Sequence, residues 1–323
     1  MSTHKGNIGL SLVFCQLIQG IPMKTKPILF LLPVLLFCMT AMADTSYQPF
    51  VLASVNDNGL EEQTNTTINL LTRAGFAVVG RYSPIENANV LVVTSPELLK
   101  NAAASAKGGY AAGQRISVTE KDGKTEVAFV NPLYIQYAYR MGADMQGVYD
   151  ALSAALGNQE SFGAEKEMTA KKLGKYHYMA MMPYFDDPMK LGSFDTHEAA
   201  VSAVADGLAV ANDALSLVYR IDIPGTDQTV FGVGMKAVSE EKKEMEIDES
   251  HQLAIVDFEG YSKVAYFPYE ILVVGNNVEA LEMKFRMAVH FPDLPMAGKH
   301  GFTKLVSAPG AVEDAFQALV KPD

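Results

Sequence analysis

Apolar residues recur along the chain from residue 44 onward with two different spacings. A spacing of two predicts strands, and a spacing of three to four predicts helices that are apolar on one face. In the first half the predicted order is strand, helix, two strands, helix, two strands and helix. The predicted strands cover 47–55, 76–82, 90–94, 115–120 and 125–130, and the predicted helices contain Leu60, Leu98 and Val148.

Capping and turn residues support these boundaries. Ser95 offers a hydroxyl cap, and Pro96 follows at the first helical position, where the N–H that proline lacks has no partner in any case. Asp122 and Gly123 supply the positive φ angles of a tight hairpin turn. The strands on either side of this turn are therefore predicted to pair in antiparallel fashion.

The second half shows the same order of predicted elements. A strand over 176–182 is followed by a helix that begins near Asp195. The later predictions are strands over 215–221, 229–234, 253–258 and 263–274, a polar helical segment over 239–249, and helices over 278–289 and 311–320.

Two pairs of segments are similar between the halves, which suggests a diverged duplication. Residues 80–93 resemble 219–233, and residues 126–132 resemble 263–269. Strands in hairpins with interspersed helices favour an antiparallel sheet covered by helices.

The predicted fold class is α+β, with two tandem two-layer α/β units, each an antiparallel sheet with helices on one face. The first unit covers 44–157, a polar linker covers 158–175, and the second unit covers 176–323 and ends in the C-terminal helix. We expect the two units to pack as an internal pseudo-dimer, by analogy with twofold homodimers.

Residues 1–43 have the features of an exported precursor. A basic start follows Met23, an apolar stretch covers 28–39, and Ala41 and Ala43 occupy the −3 and −1 positions of a cleavage site. We expect translation to begin at Met23, because the earlier apolar run over 8–21 precedes the basic start instead of following it. The predicted localisation is periplasmic or secreted. No later segment has the roughly 20 apolar residues of a transmembrane helix, so we expect no stable membrane insertion after cleavage.

Charge and cysteine content narrow the function classes. Both cysteines, Cys15 and Cys38, precede the predicted cut, so the mature chain has no thiol for a disulfide, a metal or catalysis. The removed segment carries three lysines and no acidic residue, which leaves 23 basic and 37 acidic residues and a net charge of about −14. Such a surface repels phosphate backbones, so nucleic acid is not a predicted partner.

Several structural motifs of the first half are typical of one known family. They are Gly75-Phe76 after the first helix, the strand 90–93 leading into 95–99, the Asp122-Gly123 hairpin, and Asn131-Pro132. On these residues the first half, and more weakly the second, resembles the bacterial domain of unknown function 302. The resemblance implies a two-layer α/β domain of TATA-binding-protein-like topology that associates in pairs. It implies no activity, and no catalytic residue is carried over.

Methionine and histidine form two stripes that suggest a metal site. Strand alternation over 176–182 would place three of them on one face, and three more lie at i, i+4 and i+7 of the helix over 278–289. Thioethers and imidazoles suit Cu(I). The candidate ligands are His177, Met179, Met181, Met283, Met287 and His290. The alternative, which we favour, is that these methionines fill gaps in an apolar core and that no cofactor is bound.

Other candidate chemistry is sparse. Asp186 and Asp187 are adjacent carboxylates that could serve a cation or acid–base catalysis, although adjacent acids before a proline are typical of a solvated turn. Phe231-Gly232-Val233-Gly234 lacks the further residues of a phosphate loop. No nucleophile–base motif is recognisable.

The tyrosine- and phenylalanine-rich stretches around Tyr134 and Tyr266 suit a ligand cleft, or the contact between the two halves. The leading hypothesis is an exported, non-catalytic protein that binds an unknown small molecule or protein. One alternative is an exported hydrolase or isomerase with a site between the halves, using Asp186, Asp187 and a histidine. The other alternative is Cu(I) binding by the methionine and histidine stripes.

Overall fold

The computed structural model describes residues 45–211 and 213–320. The predicted signal peptide over 1–43 and the predicted start at Met23 lie outside these residues. Within them, no helix is both long enough and apolar enough to cross a bilayer. The fold is mixed α and β with antiparallel sheets, which confirms the predicted class.

The first half builds a six-stranded antiparallel sheet of order β3-β4-β5-β6-β2-β7. Its Asp122-Gly123 hairpin is formed as predicted, with Lys121 opposite Lys124. A further pair of two-residue strands, β1 and β8, lies beside this sheet. The strands of this half are β1 Ser46–Tyr47, β2 Phe50–Asn56, β3 Ala77–Ile85, β4 Ala88–Thr94, β5 Gln114–Lys121, β6 Lys124–Val130, β7 Glu160–Phe162 and β8 Met168–Thr169.

Helices cover one face of the first sheet. Ser95 accepts a hydrogen bond from the backbone N–H of Leu98 at 3.2 Å, so the predicted cap is formed. A cluster of apolar residues, including Leu71, Ile116 and Leu152, fills the space between helices and sheet. The helices of this half are α1 Leu60–Arg73, α2 Pro96–Ala103, α3 Pro132–Ala138, α4 Gln146–Leu156 and α5 Ala170–Leu173, with a 3₁₀ turn at Gly108–Ala111.

The second half builds a five-stranded antiparallel sheet of order β10-β11-β12-β13-β9, and α6 and α10 lie against it. Its strands are β9 Met189–Ser193, β10 Leu215–Asp222, β11 Gln228–Met235, β12 Tyr269–Val274 and β13 Asn277–Ala280. Its helices are α6 His197–Val210, α7 Lys242–Ile247, α8 Glu249–Val256, α9 Met283–His290 and α10 Ala308–Val320, with 3₁₀ turns at Val264–Tyr266 and Phe302–Leu305.

The two sheets have the same strand order. The strand that comes first in sequence within each of these sheets is β2 or β9. It pairs with the last strand of the two hairpins, β6 or β13. The first hairpin, β3-β4 or β10-β11, lies at the opposite edge of the sheet. The similar segments 80–93 and 219–233 fall on these corresponding hairpins.

The sheets contact each other through the faces that the outer helices leave open. Glycines allow the backbones to approach where β3 meets β10: a Cβ added at Gly80 would lie 2.7 Å from the carbonyl oxygen of Val218. Tyr219 is 3% exposed and fills the space over Gly232. One large apolar cluster therefore contains residues of both halves, such as Phe50 and Leu272.

Three predicted elements are wrong. Residues 176–182 form turns, not a strand, and Met181 has a φ of 68°, which extended backbone does not allow. Residues 253–258 lie largely in α8, which Asp248 caps by accepting from the N–H of His251 at 2.8 Å. Residues 278–289 divide into β13 and α9.

Two further boundaries differ from the prediction. The segment 158–175, predicted as a linker, contains β7, which pairs with β2 and extends the first sheet. The predicted strand over 263–274 begins only at Tyr269, because the preceding Pro268 has no N–H to donate to a ladder. The similarity between 126–132 and 263–269 therefore does not mark corresponding elements, since the first segment is β6 running into α3.

Candidate functional site

A cluster of charged side chains is buried where the two sheets meet. Arg115 on β5 is paired with Glu270 on β12, and their side chains are only 3% and 2% exposed. Arg115 also donates from Nε to the carbonyl oxygen of Ala265 at 2.9 Å. Charges this deeply buried require partners. The contact therefore ties a strand of one half to the other.

Arg286 on α9 adds a second positive charge to this cluster. Its Nε donates to Glu270 at 3.2 Å, and its Nη2 donates to the carbonyl oxygens of Tyr266 and Pro268, each at 2.6 Å. The guanidinium carbon lies 4.2 Å from the ring centre of Tyr266 and 4.5 Å from that of Tyr269. Two aromatic faces and two carbonyls thus stabilise a second positive charge beside a single carboxylate.

His290, on the last turn of α9, is the neutral member of the cluster. Its Nδ1 lies 2.9 Å from the carbonyl oxygen of Arg286, and its Nε2 lies 3.0 Å from Nη2 of Arg115. Since a carbonyl only accepts and a guanidinium only donates, Nδ1 carries the proton and the Nε2 lone pair accepts. Burial, followed by the charges of Arg115 and Arg286, holds the pKa of His290 well below its usual value.

Glu249 lies near this cluster, at the start of α8. Its side chain is 2% exposed and faces Tyr82 of β3. Burial raises the pKa of the Glu249 carboxyl well above its usual value, and Tyr82 and Arg286 oppose this shift only in part. Burial therefore favours the protonated form of this carboxyl, which carries no negative charge.

A pocket of about 420 Å³ opens beside this region, and we call it the seam pocket. Residues 162–165 of the first half form one wall, and the loops that follow α8 and α9 form the others. Its volume lies in the range of small-molecule sites. It is lined by Phe162, Gly163, Ala164, Glu165, Val256, Phe258, Glu259, Gly260, Tyr261, Lys263, Phe291, Asp293 and Leu294.

Aromatic rings shape the walls of the seam pocket. Phe162 and Tyr261 meet edge to face across the two halves, with ring centres 5.4 Å apart. Phe258 stacks on His300 at 4.2 Å and is 40% exposed. A hydrogen bond to Glu160 raises the pKa of Tyr261, so its hydroxyl stays protonated.

The lysine of the seam pocket is bound within its own loop. The Nζ of Lys263 donates to the carbonyl oxygen of Glu259 at 2.9 Å and lies 3.6 Å from Asp257 Oδ1. Burial raises the pKa of Asp257, and Lys263 opposes that shift. From the first half, Lys121 reaches the carbonyl oxygen of Gly260.

Two other cavities differ from the seam pocket in size and lining. A groove of about 1000 Å³ runs between α6, α7 and α10, but alanines and short apolar side chains form most of its lining. A cavity of about 20 Å³, little more than the space of one water, is lined by Met182, Met287 and Met296 among others.

The predicted copper ligands lie in different environments. His177 lies on a turn with Nδ1 2.7 Å from the carbonyl oxygen of Met179, and Met181 is fully exposed. On α9, Met283 and Met287 are buried, and the lone pair of His290 is used by Arg115. The two stripes thus differ in exposure, and the strand that would have aligned the first of them is not formed. No cluster of three or more histidine, cysteine or acidic residues suitable for a metal occurs among residues 45–211 and 213–320.

The predicted carboxylate pair is exposed and bonded locally. Asp186 pairs with Arg140, at the end of α3, and Asp187 accepts from the N–H of Tyr184 at 3.0 Å. Neither residue lines the seam pocket. His177, the nearest histidine in sequence, stacks on Tyr184 with ring centres 4.3 Å apart.

The aromatic stretches were expected to line a ligand cleft or the contact between the two halves, and the structure places residues in both. Tyr134, Tyr139, Tyr266 and Tyr269 are almost fully buried between the halves, and Tyr261 lines the seam pocket. Sequence reasoning missed the buried charge cluster. A usable signal was present at Glu270, because it is the one charged residue of the six-residue strand β12.

The chain is similar to a solved structure from the family that the sequence resembles. This is the uncharacterized conserved protein DUF302 from Bacillus stearothermophilus, with 16% identity over 35% of this chain and 97% of that chain, and a TM-score of 0.30. No family model matches the chain. No curated protein matches it either.

Proposed function

We propose that the chain is an exported, non-catalytic binding protein in which two domain-302-like units form an internal pair and hold a small molecule in the seam pocket. The observation that carries this proposal is the contribution of both halves to one pocket of about 420 Å³. Clefts between domains are common places for ligand sites. Phe162 and Tyr261, one from each half, form its aromatic wall.

The shared strand order of the two sheets supports a duplicated unit. Six- and five-stranded sheets with the same order of five corresponding strands are expected if one ancestral unit was repeated. In this proposal the contact between sheets takes the place of a homodimer interface.

The bonding of the buried polar groups supports a role without catalysis. Arg115, Glu270 and His290 are occupied by one another, and none of them lines the seam pocket. A general acid or base must reach the reacting group within hydrogen-bonding distance. These groups therefore serve to join the halves in our proposal.

The export part of the proposal rests on the sequence of residues 1–43. Intact-mass measurement of protein from its native host is expected to give a mature chain that begins at Asp44. A precursor peptide containing His4 or Lys5 would contradict translation from Met23. A purified protein that still begins before Asp44 would contradict cleavage.

Native mass spectrometry of protein purified from its own compartment tests the binding function. We expect a retained small-molecule mass that is lost in Tyr261→Ala and kept in Tyr149→Ala, a half-buried tyrosine outside the seam pocket. Loss from both variants, or from neither, would remove the seam pocket as the site. Turnover of a substrate that is abolished by Tyr261→Ala would show an enzyme and would favour the hydrolase or isomerase alternative. Copper binding by the methionine and histidine stripes stays an alternative prediction.

A further inference from the structure

We propose that the ligand of the seam pocket is a small organic cation, an amine that carries an aromatic or aliphatic body. This inference rests on the proposed function and specifies the chemistry of its ligand. Three features support this inference: the carboxylates at the pocket, the contacts that hold Lys263 within its own loop, and the exposed aromatic wall.

Carboxylates dominate the charge of the seam pocket. Glu165, Glu259 and Asp293 line it, and none of them forms an ion pair within the part of the chain that the structure describes. Glu165 and Asp293 come from different halves and are adjacent, because the backbone N–H of Glu165 donates to Asp293. Their combined field attracts a cation into a concave site.

The two lysines near the pocket do not neutralise these carboxylates, and they do not offer a free positive charge to an anionic ligand. Lys263 lies close to Asp257, whose Oδ1 has no hydrogen-bond partner among the described residues and whose side chain is 9% exposed. Its ammonium and the ammonium of Lys121 each donate to a backbone carbonyl of the same loop. Both positive charges are therefore held by that loop, whereas the three carboxylates remain available to a ligand.

The aromatic wall selects the form of the cation. Phe258 is exposed at the pocket, and Phe162 and Tyr261, one from each half, add two rings that contact each other. Ring faces attract cations, and ammonium groups with apolar substituents lose less hydration when they bind there than a bare metal ion does. Val256, Phe291 and Leu294 add apolar surface for the body of the ligand.

Three probes of the same shape and different charge test the inference by isothermal titration at low ionic strength. They are phenethylammonium, 2-phenylethanol and phenylacetate. We expect phenethylammonium to bind at least about fivefold more tightly than the neutral alcohol, and phenylacetate to bind most weakly. Added salt is expected to weaken the binding of the cation and to leave that of the alcohol nearly unchanged.

Matched variants assign the effect to the pocket. Glu259→Gln combined with Asp293→Asn keeps the shape and removes two charges, and we expect it to weaken phenethylammonium binding at least about fivefold. Glu62→Gln, on the exposed face of α1, removes a charge elsewhere and is expected to change the affinity little.

The outcomes separate this inference from the proposed function. If the alcohol or phenylacetate binds as tightly as the cation, and Tyr261→Ala weakens that binding, the ligand is not a cation but the seam pocket is still the site. If no probe binds, the cation is excluded, and the native mass spectrum of Tyr261→Ala decides the function separately. If Glu62→Gln weakens phenethylammonium binding as much as the pocket variant does, the affinity depends only on the net charge of the protein. The inference is then wrong.

Discussion

Arg115 and Glu270, 155 residues apart in sequence, form an ion pair between the two halves with almost no exposure to solvent. Arg115 lies on a middle strand of the first sheet, and Glu270 lies on a middle strand of the second. Together with Arg286 and His290 they fix the position of one sheet relative to the other. An apolar contact alone would tolerate sliding, whereas buried charges are stabilised only with their partners in place.

Replacing Arg115 by Met should destabilise the protein strongly. The change leaves Ala265 without its donor and removes one of the two cations that stabilise Glu270. We expect a loss of about 3–5 kcal/mol in the free energy of unfolding, measured by urea denaturation. The control Lys243→Met breaks an exposed pair with Asp314 and is expected to cost less than about 1 kcal/mol. Similar losses for the two variants would show that the buried pair is not a major contributor.

His290 should make the stability fall in mild acid. Because its pKa is lowered in the folded state, its neutral form contributes fully above the ordinary value of 6.5, and that contribution is lost as the pH falls below it. The groups around it are the cations Arg115 and Arg286 and the rings of Phe50, Tyr139 and Tyr266.

We expect wild type to lose about 1–2 kcal/mol relative to His290→Gln between pH 7 and pH 5. Urea denaturation of both proteins at the two pH values measures this difference. The comparison with the variant removes the contribution of carboxylates such as Glu249, whose raised pKa acts in the opposite direction. A difference that does not change with pH would mean that the pKa of His290 is not lowered in the folded protein.

Replacing Glu249 by Gln should stabilise the protein at neutral pH. Folding must protonate this carboxyl because its pKa is raised, so its contribution becomes less favourable as the pH rises above the unfolded value of 4.5. The gain of Glu249→Gln over wild type is expected to grow by up to about 1.4 kcal/mol per pH unit between pH 5 and pH 7. The exposed variant Glu62→Gln serves as the control for the loss of one charge. A gain that does not grow with pH would contradict a raised pKa of Glu249.

Replacing Gly80 by Ala should disturb the crossing of β3 and β10. The new methyl group would lie 2.7 Å from the Val218 carbonyl oxygen and 3.0 Å from Cβ of Tyr219, so the strands would have to separate. We expect a loss of about 1–3 kcal/mol by urea denaturation. Gly310→Ala, in α10 with open space around it, is expected to raise stability by about 0.5–1 kcal/mol. An unchanged stability for Gly80→Ala would mean that the sheets can shift apart at little cost.

The first half was predicted well because its signals are local. Ser95 and Pro96 start α2, and Asp122 with Gly123 turns the β5-β6 hairpin, each through contacts within a few residues. The second half was predicted less well where a short apolar run fits either a strand or a buried helix. Residues 253–258 are such a run, and the cap at Asp248, which was not recognised, decides in favour of the helix.

The seam pocket and the charge cluster could not be located from the sequence. Their members lie far apart in the chain: Phe162 meets Tyr261, and Arg115 meets His290. The segment 158–175 also looked like a linker, because the three residues of β7 carry little apolar periodicity and gain their partners only from β2.

The sequence by itself determined the α+β class, the order of most elements and the resemblance of the first half to domain 302, because periodicity, caps and tight turns depend on neighbouring residues. Only the tertiary structure decided which residues of the two halves meet. The pairing of Arg115 with Glu270 and the walls of the seam pocket depend on the packing of one sheet against the other, and long-range contacts of this kind leave no periodic trace in the chain.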